Sequence, residues 1–453
     1  MNYNNSIVEL EHFESQYPED TRFREIGEIL SFVKEGNSCQ VVSVPGVGRS
    51  NLLGLLAYNR RLRIKHMGDS QNLFHFVLLN FSEIRKRPLV DATKFIFLGL
   101  LESLRERGLK KEYEEVNKYF KEGVEFNDEL VLFQNLKKTI DYLAIEKNLT
   151  VVLLFDRFEE YIPALTSEFF TNLRILRNRA KYHFSVVFSL NRPLEDLIDP
   201  YLFSDFFEYC AGRIIYLPVL DKVGLDFRIS YLEKVSGKKA DKKTLDKILK
   251  FTAGHGRLSI LCLESVFTLN GKLPENDKQL FSFFFANRPI RSALFAIWNN
   301  LSPFEQEFLT GGGQEPMYLE NLGLCFNGKV TIPIFDEFIK TEVLASGKFL
   351  QSKKEELELD VSTNEIKLGE KVISDLLTSS EFKLLNFLIQ NKGKVLGKEE
   401  IINAVWGEQK TTLGVTDQAL DQLIFRLRKK IESNPTAPEF IQTIKGRGFR
   451  FTP

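Results

Sequence analysis

Short apolar runs recur through the first half of the chain, separated by longer stretches in which apolar positions return every three or four residues. The runs are SCQVVSV (38–44), LFHFVLLNF (73–81), LTVVLLF (149–155), HFSVVFSL (183–190) and GRIIYL (212–217). Each is rich in β-branched and aromatic residues and lacks a polar face, which predicts strands covered on both sides. RSNLLGLLAYNRRL and DATKFIFLGLLESLRERG, lying between runs, carry helical spacing. Strand alternating with helix predicts an α/β domain with a parallel sheet over residues 1–220.

The pattern changes after Leu220. DKKTLDKILKFTAGHGRLSILCLESVFTLNG reads as two helices broken at Gly254–Gly256, a helical lid within 221–275. Over 276–340, RSALFAIWNNLSPFEQEFL reads as helix, and YLENLGLCFNGKVTIPIF as a helix and a hairpin turning at Asn327-Gly328. That is the outline of a small winged helix. A charged, weakly patterned linker (341–356) follows. Residues 357–453 then begin afresh with strands at LELDVS and EIKLGEKVI, three helices, and FIQTIKGRGFRF, the outline of an α+β winged helix-turn-helix.

Composition narrows the function. Basic and acidic residues balance at 61 each, so no global field draws nucleic acid and any DNA affinity comes from local patches. With 43% hydrophobic and 27% charged residues the chain can bury proper cores. Cys39, Cys210, Cys262 and Cys325 have no C-x-x-C spacing, and the five histidines no ligand spacing, so no cysteine or histidine metal site is expected. The polar, acidic start is unlike a signal peptide, and the longest apolar runs fall far short of the ~20 residues that span a bilayer. The expectation is a cytoplasmic protein with no membrane partner.

VSVPGVGRSN (42–51) sits between the first strand and a helix, where backbone N–H groups of a glycine-rich turn can cradle phosphate oxygens. Against the pattern G-x-x-x-x-G-K-[ST], Gly48 and Ser50 fit, but Ser43 replaces the first glycine and Arg49 the lysine. Pro45, Gly46, Val47, Gly48, Arg49, Ser50 and Asn51 are the candidate nucleotide contacts. Asp156 ends an apolar strand, where it and Ser50 could hold Mg²⁺. This arrangement resembles the signalling branch of the AAA+/STAND ATPases over roughly residues 20–340. The resemblance implies an α/β P-loop NTPase-like fold with a helical lid and small winged helix, binding ATP or ADP with magnesium. It makes Asn191 or Arg192, just past the fourth strand, the γ-phosphate sensor, and sets Gly256 where the family's lid motif has proline. It also expects a catalytic glutamate at Arg157, with Glu159 and Glu160 as weak substitutes if the backbone turns them inward. Loss of both lysine and general base removes several kcal/mol of transition-state stabilisation, so the reading leans towards a scaffold or switch rather than an enzyme.

LTSSEFKLLNFLIQNKGKVLGKEEIINAVWG, TDQALDQLIFRLRKKIE and PEFIQTIKGRGFRF resemble, in order and spacing, the winged helix-turn-helix of the OmpR/PhoB response-regulator family. Thr378, Ser379 or Ser380 caps the first helix. On the third, Leu420, Leu423, Ile424, Leu427 and Ile431 form an inward stripe. The opposite face shows Gln418, Gln422, Phe425 and Lys429, flanked by Asp421, Arg426 and Arg428, and fits a major groove. Gln418 and Gln422 suit adenine and Phe425 suits a thymine methyl, which predicts an A·T-containing promoter site. The resemblance sets Lys445 on the wing's minor-groove cation, with Arg447 beside it; Lys429, Lys430 and Arg450 are expected on phosphates. No receiver domain is expected before this unit, since the paired acidic residues and lysine of a receiver are not placed in the preceding sequence.

The leading reading is a DNA-binding transcription regulator with an ATPase-like body that senses nucleotide, self-associates or acts as scaffold. The alternatives are an ATP-hydrolysing switch addressed by DNA, an origin-recognition protein, and a protein-binding module anchored by Phe425.

Overall fold

The computed structural model describes residues 12–452, apart from 127, 199, 270–272, 346–356, 361–364, 370, 408–416, 433–437 and 445–446. Two compact units emerge, one of residues 1–43, 47–193 and 205–238, the other of 44–46, 194–204 and 239–453.

The first unit is built on five parallel strands: β1 (Cys39–Val42), β2 (Phe74–Asn80), β3 (Thr150–Asp156), β4 (Phe184–Leu190) and β5 (Ile214–Tyr216), in the order β2-β3-β4-β1-β5. Every residue of β1, β3 and β4 is buried, as the unbroken apolar runs require. In register, Asn80 lies beside Asp156 and Val42 beside Leu190, so these strands end on one edge. Ligands of open α/β sheets bind at that carboxyl edge.

Helices α1 (Phe23–Lys34), α2 (Arg49–Tyr58), α3 (Arg60–Met67), α4 (Leu89–Glu106), α5 (Lys110–Glu125), α6 (Glu129–Asp141) and α7 (Ser167–Ala180) follow in chain order. The helix expected over 49–62 is broken at Asn59. Its buried side chain accepts from Leu62 N–H and donates to the carbonyls of Glu14 and Tyr17, each at 3.0 Å. The helices α5 and α6, which lie between α4 and β3 in the chain, pack against each other and against α4, and have no counterpart in the pattern analysis. Next come α8 (Leu194–Leu197), α9 (Pro200–Cys210) and α10 (Lys222–Ser236). The pattern assigns α10 to the lid, but the division falls at Lys238, leaving it in the first unit. An aromatic cluster underlies the end of β3: Phe81 and Phe155 centroids are 4.6 Å apart, and Phe158 and Phe188 5.1 Å.

In the second unit α11 (Lys242–Thr252) and α12 (Gly256–Leu269) form the helical pair expected around Gly254. Then come α13 (Asp277–Phe285), α14 (Arg288–Asn299), α15 (Pro303–Leu309), α16 (Met317–Asn321), the hairpin β6 (Cys325–Phe326) and β7 (Lys329–Val330), and α17 (Pro333–Phe338). The single helix predicted over 291–309 is two, because Ser302 and Glu305 make a capping box that starts α15 afresh.

The last domain has β8 (Leu357–Asp360), β9 (Glu365–Leu368) and β10 (Lys371–Val372) as an antiparallel sheet, then α18 (Ser379–Gln390), β11 (Val395–Leu396), α19 (Lys398–Trp406) and α20 (Asp417–Ile431). The wing strands β12 (Ile441–Ile444) and β13 (Gly448–Phe451) pair antiparallel, and β11 adds to β13. Leu420, Leu423, Ile424, Leu427 and Ile431 of α20 are buried with Leu384, Leu388, Trp406 and Phe449. At about 1.5–3 kcal/mol per buried large apolar side chain, that stripe decides which face of α20 points outward. Among the described residues, no helix is long and apolar enough to cross a membrane.

Candidate functional site

Two places carry chemistry. The first is the turn between β1 and α2. Gly48 caps α2 at φ 109°, and Gly46 lies at φ 89°, left-handed conformations that glycine adopts without strain. Val47 is buried, and its carbonyl accepts from the buried Arg22 guanidinium at 3.0 Å. Asn51, at the start of α2, hydrogen-bonds Tyr17.

Arg49 turns back onto the protein: its Nη2 lies 2.9 Å from Glu159 Oε1, with both side chains largely buried. Burial raises the Glu159 pKa above the usual carboxylate range, and the Arg49 charge only partly opposes this. The Ser50 hydroxyl donates to Asp156 Oδ1 at 3.0 Å, and the Ser189 hydroxyl donates to the same oxygen at 3.2 Å. Asp156 is itself buried. Phe155 and Phe158, both fully buried, anchor the chain on either side of it. Between them Arg157 adopts φ 51°, and that left-handed turn decides the two neighbouring carboxylates. Glu159 points in at Arg49. Glu160 instead pairs with Arg85 and, at 3.5 Å, with the half-exposed Arg157, so it is no candidate base. Asn191 and Arg192 are half-buried and follow directly on β4, whose last residue pairs with Val42.

The donor set suits a magnesium nucleotide in part. A hydroxyl and a carboxylate are set 3.0 Å apart at the head of a helix whose N-terminus favours anions. Arg49 Nη1 is buried without a hydrogen-bond partner among the described residues, leaving a donor for a phosphate oxygen.

Pattern reasoning missed His255 and Arg257, which meet the start of the loop in the second unit. His255 Nε2 donates to the Pro45 carbonyl at 3.0 Å, while Leu258 N–H donates to its Nδ1 at 3.3 Å. Those bonds fix the neutral tautomer. Complete burial pushes the His255 pKa down to about 4, although the bond to Pro45 favours the proton. Arg257 N–H donates to Gly46 O at 3.1 Å. A Cβ on Gly46 would lie 2.8 Å from His255 Cε1 and 2.9 Å from Arg257 Cβ, so only glycine fits. The Arg257 side chain itself is exposed. GHGRL, with its cation two residues past a buried histidine, is the signal that could have found them.

The second place is the outer face of α20 and the wing. Thr378 is the cap of α18, in a capping box with Glu381. Gly448 sits at φ 122°, where a Cβ would come within 1.9 Å of Leu396 O, so the β11–β13 junction requires glycine. Buried Glu432 accepts from the N–H groups of Glu439, Phe440 and Ile441 at 2.7–3.0 Å and closes the chain onto the wing. No spacing signal pointed to it.

Gln422, Phe425, Lys429 and Arg447 are exposed, and Lys429 Nζ stands 4.9 Å over the Phe425 ring. Asp421 is paired with Lys398 at 2.7 Å, which offsets its charge on this face. Four expected contacts lie elsewhere. Arg428 donates to Ile441 O and Thr443 Oγ1, binding α20 to the wing, and burial lowers its pKa. Lys430 holds the buried Glu381 at 2.6 Å, and Arg450 donates to Gln442 at 2.7 Å. Arg426 is buried and donates to the carbonyls of Glu195 and Ile198. Arg426, Arg428 and Lys430 of α20 and Arg450 of β13 thus bond to groups within the protein. Lys445 and the side chain of Gln418 lie outside the described residues.

Residues 375–451 match the protein family described as "Transcriptional regulatory protein, C terminal". The phosphate regulon transcriptional regulatory protein PhoB of Escherichia coli (strain K12) is 34% identical over 96 residues, covering 21% of this chain and 39% of that protein. The chain thus spans about two fifths of this relative's length. Among solved structures, the Klebsiella pneumoniae RstA DNA-binding domain in complex with RstA box is 26% identical, covering 21% of this chain and 91% of that one, at a TM-score of 0.19. A Walker-type ATPase of Pyrococcus abyssi is 13% identical, covering 70% and 95%, at a TM-score of 0.41. Residues 375–451 are thus similar to the OmpR/PhoB-type winged-helix domain, and the parallel five-stranded sheet of the body, in the order β2-β3-β4-β1-β5, fits a P-loop NTPase-like fold.

Proposed function

We propose that this chain is a cytoplasmic DNA-binding transcription regulator in which α20 enters the major groove and the wing follows the minor groove. The observation that carries the reading is the outward face of α20. Gln422, Phe425 and Lys429 project from one side of a helix whose other side is fully buried, and Arg447 stands exposed at the wing. An amide that can pair with adenine beside a ring that can meet a thymine methyl favours an A·T-containing site. Lys429 and Arg447 would meet phosphate or groove edge and set the register.

The body is the nucleotide-responsive or scaffolding part of this reading. When bound, a magnesium nucleotide would supply the phosphate charge that Arg49 and Ser50 meet. Ser50 and Asp156 would hold the metal, and the amides after Gly46 would take phosphate oxygens. Arg49 would meet the phosphate through Nη1, while Nη2 stays with Glu159. That internal ion pair supports weak, slow or absent turnover, and Glu159 would be the carboxylate to orient water if turnover exists.

The test is fluorescence anisotropy of labelled duplex against the full chain across a salt series, with and without Mg-ATP. About four to six phosphate contacts give a log–log slope near −4 to −5. A flat, salt-independent signal would sink the DNA reading. Affinity that ignores nucleotide would make the body a scaffold. Recovery of only G·C-rich sites from random duplexes would remove the adenine–thymine assignment.

A further inference from the structure

Among the described cations of the predicted DNA set, Arg426 is the most deeply buried, and its partners lie more than two hundred residues away in sequence. It is 5% exposed and lies on the outward side of α20, between Gln422 and Lys429. Its Nη1 donates to Glu195 O at 3.0 Å and to Ile198 O. One turn further on, Lys429 Nζ lies 3.5 Å from Asp196 Oδ1. Residues 195–198 thus offer α20 two carbonyl oxygens at the carboxyl end of the short helix α8, where the dipole is negative, plus a carboxylate. Helix α15 also packs against α20. This group of acceptors is what a phosphate backbone would offer the same two cations.

We propose that residues 194–198 are an internal competitor for DNA: they hold the reading helix by Arg426 and Lys429 and must let go before it can enter a groove. The proposal rests on the reading that α20 binds DNA. A guanidinium bonded to neutral carbonyls forms stronger, charge-assisted bonds once phosphate replaces them, so duplex DNA and the 194–198 segment compete for one group. The segment begins four residues after β4 ends, directly behind Asn191 and Arg192. A ligand that moves those two residues would therefore move the competitor's near end.

Two full-length variants test this against a labelled random-sequence duplex three helical turns long. Asp196→Asn removes the carboxylate from Lys429 without touching the DNA-reading face. Asp226→Asn makes the same charge change on an exposed carboxylate paired with Lys222, and serves as control. The second variant carries Asp196→Cys and Lys429→Cys, bridged by a cleavable thiol reagent; the four native cysteines are buried and spared. Its bridged form is compared with its own reduced form. We expect Asp196→Asn to bind about three- to fivefold tighter than wild type and Asp226→Asn to show no comparable gain. We expect bridging to weaken binding about tenfold or more, with recovery on reduction. If Asp196→Asn matches Asp226→Asn and the bridged and reduced forms bind alike, the competitor is overturned while DNA binding stands. If wild type, Asp196→Asn and the reduced double variant all fail to bind duplex at low salt, the DNA reading falls and takes the competitor with it.

Discussion

The turn between β1 and α2 carries one cation and α20 carries several, and the chain around them treats the two regions differently. At the loop the single cation in the motif, Arg49, is matched by a buried carboxylate, Glu159, at 2.9 Å. On α20 several cations compete for inward partners. Arg428, Lys430 and Arg426 find them, while Lys429 stays about half exposed and meets Asp196 at 3.5 Å. What a motif cation does is therefore settled by the nearest acceptor that burial leaves available, and a sequence pattern does not show that acceptor.

The largest effect should come from breaking the wing alone. Gly448→Ala forces a Cβ into Leu396 O in a conformation L-residues avoid, so it should cost the last domain several kcal/mol, about 3 or more. Denaturation monitored through Trp406 should show the loss, with DNA binding abolished; a wild-type midpoint would refute the packing described.

Acid should act on the loop side. The folded His255 pKa is about 4 and the ordinary value 6.5, so the unfolded chain takes up this proton first as pH falls. The stability contribution is complete above about pH 6.5 and is lost progressively down to about pH 4, on the order of 3 kcal/mol. His75, also fully buried and pushed down to about 3, adds loss in the same direction. His255→Gln should flatten the profile between these pH values, and an unchanged profile would mean His255 is not buried as described.

Glu159→Gln sharpens the contrast by turning the loop cation loose. Arg49 then lacks a charged partner, which should cost about 1–3 kcal/mol of stability and tighten any Mg-ATP binding read by calorimetry. Loss of nucleotide binding in this variant would instead make Glu159 part of the site. The smallest effect is expected from Arg447→Ala, which should lower the magnitude of the DNA salt slope by about 1 while leaving the melting temperature alone.

Much of the frame was legible before any coordinates. Short β-branched runs bounded by turn residues and alternating with helical spacing favour covered strands, and the five parallel strands fall where the runs do. The stripe at Leu420, Leu423, Ile424 and Leu427 likewise fixes how α20 is rotated. What stayed hidden depends on contacts between distant residues or on one backbone angle. Glu159 and Glu160 are chemically equal neighbours until Arg157 takes a left-handed φ. Asn59 looks like any polar helix residue until the carbonyls of Glu14 and Tyr17 arrive. Arg428, Lys430 and Arg450 carry the charge that phosphate contacts need, and only the positions of Ile441, Glu381 and Gln442 show that the charge is used inside the domain.

Asp156 Oδ1 accepts hydrogen bonds from Ser50, at the head of α2, and from Ser189, on the strand beside it. Drawing that carboxylate towards a divalent cation would loosen both hydroxyls in the same instant. A helix start and a strand end would then feel metal arrival as a single event, and neither could register it alone.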